Sequence, residues 1–200
     1  MGVIKTALEI ALEKTESVKS DKTSIELFET RQRGKKLAGC YLSQAESVNL
    51  EQEIKNAPDS QKESLKQGIF DILVSKIALP SAGSSGKEDE KLIEAIGNGL
   101  KTVIDNKQFL ILYKQLIQVF SQYLQEASNY EQAIHQQYAP KLRQKEEELS
   151  RRFGREVRID PMQDPEFAAV LNQHMNALKG NYEGIIDEAK KQIRLMFSEN

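Results

Sequence analysis

Hydrophobic residues recur along this chain mainly at intervals of three and four positions, which is the period of an amphipathic α-helix. The pattern predicts a first helix near the N-terminus and a second helix that begins at Ser20 or Asp21, because both residues are good N-caps. Small residues follow at Gly34, Ala38 and Gly39. The two glycines lower the helix propensity of the second helix, but all three small residues would let another helix approach it closely.

Proline, glycine and serine interrupt the helical pattern at two places. A third helix is predicted to follow the turn at Pro58 and to end near residue 78. The next segment, 80–87, contains proline, glycine and serine in close succession, which is typical of a flexible linker. We therefore expect an N-terminal helical region at 1–79 and a second helical region, the long helical hairpin, at 88–200, with one domain overall as the alternative.

The longest pattern lies in the second region and alternates by four and three positions for nearly four heptads, as in a coiled-coil seam. Its members are Phe109, Tyr113, Leu116, Phe120, Tyr123, Ala127, Tyr130 and Ile134. Around Pro140 the phase shifts to Tyr138, Leu142, Leu149 and Phe153, and we expect the proline to kink the helix. A helix over 107–153 would span about 70 Å at about 1.5 Å per residue. This exceeds the roughly 43 Å diameter of a compact chain of this length, so we expect an elongated protein.

A second heptad pattern follows a short loop. Gly154 is predicted to end the long helix, and Asp164 with Pro165 marks the start of the last one. The last helix repeats the alternation at Leu171, Met175, Leu178, Tyr182, Ile185, Ala189, Ile193 and Met196. The predicted fold is therefore all-α, an elongated helical bundle built on a long antiparallel, coiled-coil-like helical hairpin. The sequence is also compatible with a homo-oligomer, although the hairpin makes a parallel dimer unnecessary for burying the heptad seam.

The charge of the chain is nearly balanced, with 28 Lys and Arg against 30 Asp and Glu and a net charge of −2. This balance argues against a basic arm and against nucleic acid as the main partner. No stretch reaches the roughly 18 apolar residues of a membrane-spanning helix. A single cysteine, Cys40, excludes an internal disulfide and is typical of a reducing compartment, so we expect a cytoplasmic protein.

Residues with reactive side chains do not form a recognisable catalytic or metal-binding pattern. The glycine-containing segment 83–88 lacks the first Gly and the final Ser or Thr of a phosphate-binding loop. The only histidines, His135 and His174, are too few for a histidine-rich metal site, and Asp164 is better explained as a helix cap than as a calcium ligand. We therefore predict no catalytic residue, no cofactor and no metal, and we expect no enzymatic activity.

Four arginines lie within eight positions at the predicted end of the hairpin: Arg151, Arg152, Arg155 and Arg158. Arginine binds carboxylate and phosphate groups in a planar, bidentate geometry, so this cluster is the candidate site for an acidic partner or another anion. The alternative is that nearby carboxylates neutralise the arginines in weak surface ion pairs. These carboxylates belong to Glu147, Glu148, Glu156 and Asp160.

Three segments of the chain carry a resemblance to a known family. They are Ala7-Leu-Glu-Ile-Ala-Leu-Glu-Lys-Thr15, Tyr138-Ala-Pro-Lys-Leu-Arg-Gln-Lys-Glu-Glu-Glu-Leu149 and Asp160-Pro-Met-Gln-Asp-Pro-Glu-Phe167. The segments resemble a helix-rich bacterial family of unknown function. The resemblance spans most of the chain and implies a bacterial, cytoplasmic, all-α protein, but it brings no catalytic residues with it.

Three functions are compatible with these observations. The leading hypothesis is a non-enzymatic, helical protein–protein interaction module such as an adaptor, an assembly factor or a chaperone, and the heptad surfaces favour it. The first alternative is binding of nucleic acid or another polyanion through Arg151–Arg158. The second is an enzyme of unknown type with a site near residues 154–164, the loop that differs most from the rest of the chain.

Overall fold

A computed structural model describes residues 7–43, 48–81 and 87–199, with side chains described from residue 22 in the first range and from residue 88 in the last. Every regular element in these ranges is helical, so the predicted all-α fold class is confirmed. The helices are α1 (Ala7–Ser43), α2 (Leu50–Asn56), α3 (Asp59–Ser75), α4 (Lys87–Val103), α5 (Lys107–Phe153) and α6 (Pro165–Ser198), with a 3₁₀ turn at Pro161–Gln163. None of the described helices is apolar over enough of its length to cross a membrane.

The chain divides into two compact units. Unit 1 consists of Met1–Lys76 and Glu94–Asp105, and unit 2 consists of Ile77–Ile93 and Asn106–Asn200. This division differs from the one expected at 80–87, because the second half of α4 groups with unit 1. There, Gly99 lies so close to Leu73 and Tyr41 that an added Cβ would press on both side chains. Residues 82–86 of the expected linker lie outside the described part of the chain.

A close contact between α1 and α3 forms part of the core of unit 1. A Cβ added to Gly34 would collide with the carbonyl oxygen of Leu65, and one added to Gly68 would collide with the carbonyl oxygen of Arg31. The predicted close approach at small residues is therefore confirmed at Gly34. At Gly39 it is wrong, because an added Cβ there would meet nothing within 4 Å.

The helix boundaries in unit 1 differ from the predicted ones. Residues 7–43 form a single helix, so the predicted start at Ser20 or Asp21 is wrong. The chain has no glycine or proline between residues 3 and 33, and a good N-cap does not interrupt a helix without such a breaker. The short helix α2 was not predicted. Its cap is Asn49, whose side chain accepts a hydrogen bond from the backbone N–H of Gln52 at 3.1 Å.

In unit 2, α5 and α6 contact each other through residues whose order runs in opposite directions. The rings of Tyr123 and Tyr182 lie 5.4 Å apart, and those of Tyr138 and Phe167 lie 5.5 Å apart. Seven of the eight residues in the first heptad pattern of α5 are buried, and the exception is Tyr130, which is 46 % exposed. Helix α5 continues through Pro140 without a break. The heptad pattern therefore identifies the buried face of α5 over most of its length.

The buried face departs from the predicted one in the second half of α6 and at the end of α5. In α6, Ile186 and Phe197 are buried where the pattern predicted Ile185 and Met196. An α-helix has about 3.6 residues per turn, so a strict 3.5-residue pattern drifts around the helix by about 20° per heptad. Phe153 is 62 % exposed because α5 extends past the start of α6 and has no helix opposite its last turns.

Candidate interaction site

Residues 150–163, here called the tip, lead from the end of α5 to the start of α6, and side chains of α5 hold their backbone. Ser150 Oγ accepts a hydrogen bond from the backbone N–H of Val157 at 2.9 Å. Glu146 Oε1 accepts one from the backbone N–H of Ile159, also at 2.9 Å. Gly154 makes the turn itself with a φ of +65°, a conformation that glycine adopts without steric cost. The backbone of residues 157–159 in the tip is therefore held against α5.

A group of charged and hydroxyl side chains ties the start of α6 to α5. This group, the Asp164 cluster, consists of Tyr138, Lys141, Lys145, Asp164 and Glu166. The carboxylate of Asp164 is 5 % exposed and accepts a hydrogen bond from Lys145 Nζ at 2.6 Å. Glu166 accepts hydrogen bonds from Lys145 at 3.0 Å and from the Tyr138 hydroxyl at 2.8 Å, and it lies 2.9 Å from Lys141 Nζ. Both carboxylates therefore have donors on α5.

Asp164 also has the role that its sequence context predicted. Its Oδ1 accepts hydrogen bonds from the backbone N–H groups of Glu166 at 3.0 Å and Phe167 at 3.1 Å, which caps α6. Pro165 occupies the first position of the helix, as predicted. One buried carboxylate thus ends the tip, starts α6 and contacts α5.

The contacts in the Asp164 cluster move its pKa values away from neutrality. Hydrogen bonds from Lys141 and then from its other donors lower the pKa of Glu166 to about 2. The hydrogen bond from Lys145 lowers the pKa of Asp164, and the same contact raises the pKa of Lys145. A general acid or base works best with a pKa near the working pH. The cluster is therefore suited to a permanent ionic tie and poorly suited to proton transfer.

Two of the four arginines of the predicted site form ion pairs with nearby residues. Arg151 Nη2 lies 3.9 Å from a carboxylate oxygen of Glu147, one helical turn earlier. Arg158 Nε lies 3.0 Å from a carboxylate oxygen of Glu156. The four side chains that form these two ion pairs are each more than two-thirds exposed, so each pair contributes little to stability. Nearby carboxylates thus pair with the charges of Arg151 and Arg158.

The tip also carries the other two arginines and two exposed apolar side chains. Within the described ranges, no carboxylate lies within 4 Å of the guanidinium of Arg152 or Arg155. Phe153 stands between them in sequence and is 62 % exposed, and Met162 is 55 % exposed. The tip therefore presents to solvent two apolar side chains and two cations that have no ion-pair partner in the described ranges.

The structure brings together residues that the sequence interpretation had kept apart. Asp164 was identified as a helix cap, but the contacts that it and Glu166 make with Tyr138, Lys141 and Lys145 were missed. The spacing of these three residues places them on one face of α5, which was a usable signal. Two of the three segments that carry the family resemblance also contain the whole cluster. The spacing could not name the partners, because these lie 19 or more residues later in the chain.

The histidines and the cysteine lie outside this site. His135 packs against the ring of Phe167 with ring centroids 4.6 Å apart, and His174 stacks on Tyr130 at 6.3 Å. Cys40 is an exposed free thiol on α1. Over the described residues, no group of three or more His, Cys, Asp or Glu side chains is placed to hold a metal ion.

Comparison with known proteins gives a match over most of the chain. A family model described as a family of unknown function (DUF6657) matches residues 51–195. The matched range contains the tip and the whole Asp164 cluster, but it leaves α1 outside. No curated protein and no solved structure matches the chain.

Proposed function

The chain belongs to this family of unknown function (DUF6657), and we propose that it is a non-enzymatic interaction module that binds a partner protein through the tip. Such a module would serve as an adaptor, an assembly factor or a chaperone. The observation that carries the proposal is the exposed Phe153 at the end of α5, which lies in sequence between Arg152 and Arg155, two arginines without an ion-pair partner among the described residues.

The composition of the tip supports this proposal. Aromatic residues, methionine and arginine are enriched at protein interfaces relative to the rest of the surface. Burial of an exposed aromatic ring by a partner lowers the free energy of the complex, and the effect is large for a side chain of this size. Because Ser150 and Glu146 already hold the tip backbone, binding would not have to order it, which lowers the entropic cost.

The charge state of the Asp164 cluster favours this function over an enzyme with a site near residues 154–164. Glu166 and Asp164 have lowered pKa values and Lys145 a raised one, so each group keeps its charge around neutral pH. Catalytic acids and bases are usually tuned in the opposite sense, towards the working pH.

Polyanion binding through Arg151–Arg158 is the second candidate. The observation that favours it is that Arg152 and Arg155 have no ion-pair partner in the part of the chain that the structure describes. The two candidates differ in their response to salt. Binding to a polyanion weakens steeply as salt is added, because each phosphate contact releases a counterion. A contact built around Phe153 should be retained, because burial of apolar surface does not depend on counterions.

The proposal is tested with two variants that remove equally exposed apolar side chains. Phe153→Ser changes the tip, and Leu195→Ser, at 61 % exposure on α6, is the matched control. Neither should lower the melting temperature. In affinity capture from the native host followed by mass spectrometry, we expect proteins held by the wild-type chain to be lost with Phe153→Ser and kept with Leu195→Ser. Equal capture by both variants would contradict the proposal, and loss of wild-type capture at raised salt would favour polyanion binding.

A further inference from the structure

The middle of the helix pair α5 and α6 carries few charges on its surface, in contrast to the end of α5. Of the 16 exposed residues in 115–140, two are charged, whereas six of the eight exposed residues in 141–153 are charged. The seven exposed residues of α6 in 169–177 include no Asp, Glu, Lys or Arg. Charged residues are depleted at the centre of protein interfaces, so this stretch is unlike an ordinary solvated helix surface.

Two heptad positions that the helix pair leaves exposed lie on one side of it. Tyr130 is 46 % exposed and Ile185 is 49 % exposed. The ring of Tyr130 stacks on that of His174 at 6.3 Å, which places both rings on the same side. Ile185 follows His174 by eleven positions, or about three full helical turns, so it points to that side as well.

The side that carries the two rings is here called the Tyr130 face. It consists of Glu126, Tyr130 and Ala133 on α5 and of Val170, His174 and Ala177 on α6. The members on each helix are three or four positions apart, which is the spacing of one helical face. Glu126 is the one charged member, and it accepts a hydrogen bond from the Tyr182 hydroxyl. The face therefore presents a ring pair bordered by small and apolar side chains.

A cleft of about 580 Å³ opens between α5 and α6 farther along the same side. Val119 on its wall lies eleven positions before Tyr130, and Asn181 on the opposite wall lies seven positions after His174. Six of its ten lining residues are apolar or glycine, three are amides, and Glu188 is its one charged residue. The middle of the cleft is about 22 Å from Tyr130 along α5, at about 1.5 Å per residue.

A side that carries both a ring pair and a cleft is complementary to itself. In a two-fold contact, whatever one copy places on the other is returned by the second copy. A two-fold axis that crosses the helices midway between the rings and the cleft would bring the rings of each copy to the cleft of the other. The two copies then run antiparallel.

The polar residues of this side also fit a second copy. It offers no cation to an acidic partner or a polyanion, and a symmetric contact with so few charges brings few like charges together. The amides of the cleft, such as Gln115 and Asn181, both donate and accept hydrogen bonds. They can therefore pair with the hydroxyl of Tyr130 and the ring nitrogens of His174.

The side is large enough for a stable dimer. From Leu112 to Gln137 it extends over about 39 Å, and two adjacent helices are about 20 Å wide, which gives about 780 Å² per copy. A standard protein interface buries about 800 Å² on each partner.

We infer that the Tyr130 face and the adjoining cleft form the contact between two antiparallel copies of this chain. Tyr130 and His174 of each copy occupy the cleft of the other copy. The contact buries the two heptad residues that one chain leaves exposed, Tyr130 and Ile185. The inference goes beyond the proposed function, because none of these residues belongs to the tip.

Sedimentation equilibrium of the full chain tests the inference. We expect a species with twice the mass of one chain. Tyr130→Glu should raise its dissociation constant by about tenfold or more, because the new carboxylate would lie near Glu188 of the other copy. Ile117→Glu is the matched control, since Ile117 is 42 % exposed and lies on a different side of α5, and it should leave the constant nearly unchanged.

Two further variants show that the contact joins separate copies. Adding Glu188→Lys to Tyr130→Glu should restore the dimer. This rescue cannot occur within one chain, because Glu188 lies about 21 Å along α6 from His174, which is opposite Tyr130. In a chain with Cys40→Ser, the pair Tyr130→Cys and Ile185→Cys should form a disulfide between two chains on oxidation. Within one chain the two positions are too far apart for that bond, which requires Cα atoms within about 7 Å.

Several results would overturn the inference. They are a single chain at every concentration, equal weakening of the dimer by Tyr130→Glu and Ile117→Glu, and oxidation without a cross-linked dimer. A single chain that captures another protein, and loses it with Tyr130→Glu, would assign this face to a different partner. Phe153→Ser should leave the dimer intact, so the proposed function and this inference fail independently.

Discussion

At the residue scale, the contact between α1 and α3 depends on two positions without a side chain. Gly34→Ala is expected to lower the free energy of unfolding by about 1–3 kcal/mol or more, because its Cβ would force the carbonyl of Leu65 away. Gly39→Ala on the same helix is the control, and it should raise stability by up to about 1 kcal/mol through helix propensity. Urea denaturation measures both changes, and changes of the same sign would contradict the packing described.

A second residue-scale prediction concerns the pH dependence of stability. Glu166 has a pKa of about 2 in the folded chain, against about 4.3 for an unperturbed glutamate. A lowered pKa stabilises the folded state above the unfolded pKa, and this stabilisation is lost as the pH falls through the folded value. Glu166→Gln should therefore be less stable than the wild type above about pH 5, and the difference should shrink towards about pH 2.

Urea denaturation at a series of pH values measures this difference. Glu183→Gln is the control, because it removes an exposed carboxylate of the same helix whose oxygen lies 3.6 Å from Lys179. We expect a smaller effect from the control at neutral pH. A difference between Glu166→Gln and the wild type that does not change below pH 5 would show that the contacts of Glu166 do not depend on its charge.

At the element scale, α5 runs unbroken through a residue that cannot donate a helical hydrogen bond. Pro140 is exposed, so its ring has little packing to lose, and its missing N–H leaves the carbonyl of Gln136 without the usual partner. Pro140→Ala should raise the free energy of unfolding by up to about 3 kcal/mol. Thermal and urea denaturation test this, and an unchanged or lowered stability would contradict the cost ascribed to the proline.

The same helices show which parts of the fold a sequence pattern can predict. Except at Tyr130, the heptads of α5 identify its buried face where α6 lies opposite, because there one face is apolar over many turns. They fail at Phe153, where no helix lies opposite, and at Ile185, where a small angular drift moves the neighbouring Ile186 into the core. Asp164 was predictable as a cap because capping is local. Its contact with Lys145 was not, because it depends on how two distant segments pack.

At the scale of the whole molecule, the matched family range and the core of unit 1 do not coincide. The match begins at residue 51, but α3 within it packs against α1, which lies before it. Gly68 in the matched range faces the backbone at Arg31, outside that range. The buried face of α3, which includes Leu65 and Ile69, would therefore be uncovered in a chain that contains the matched range alone.

A shortened chain that begins at Val48 tests this point. We expect it to lose more helical circular dichroism than the 37 residues of α1 account for, and to bind a hydrophobic dye, because the apolar face of α3 becomes exposed. A chain that begins at Lys22 is the control, and it should keep unit 1 folded because it retains Gly34. Equal behaviour of both shortened chains would contradict a structural role for the second half of α1.

The turn at the end of α5 depends on the chirality of the residue at position 154. Gly154 is the one residue in the described ranges with a positive φ, and glycine is the one achiral amino acid of the standard set. An L-residue at this position would adopt a strained backbone, whereas a D-residue would adopt the same conformation without steric strain. The turn is thus formed by an achiral residue. A chemically synthesised chain with D-alanine at position 154 should form the same turn.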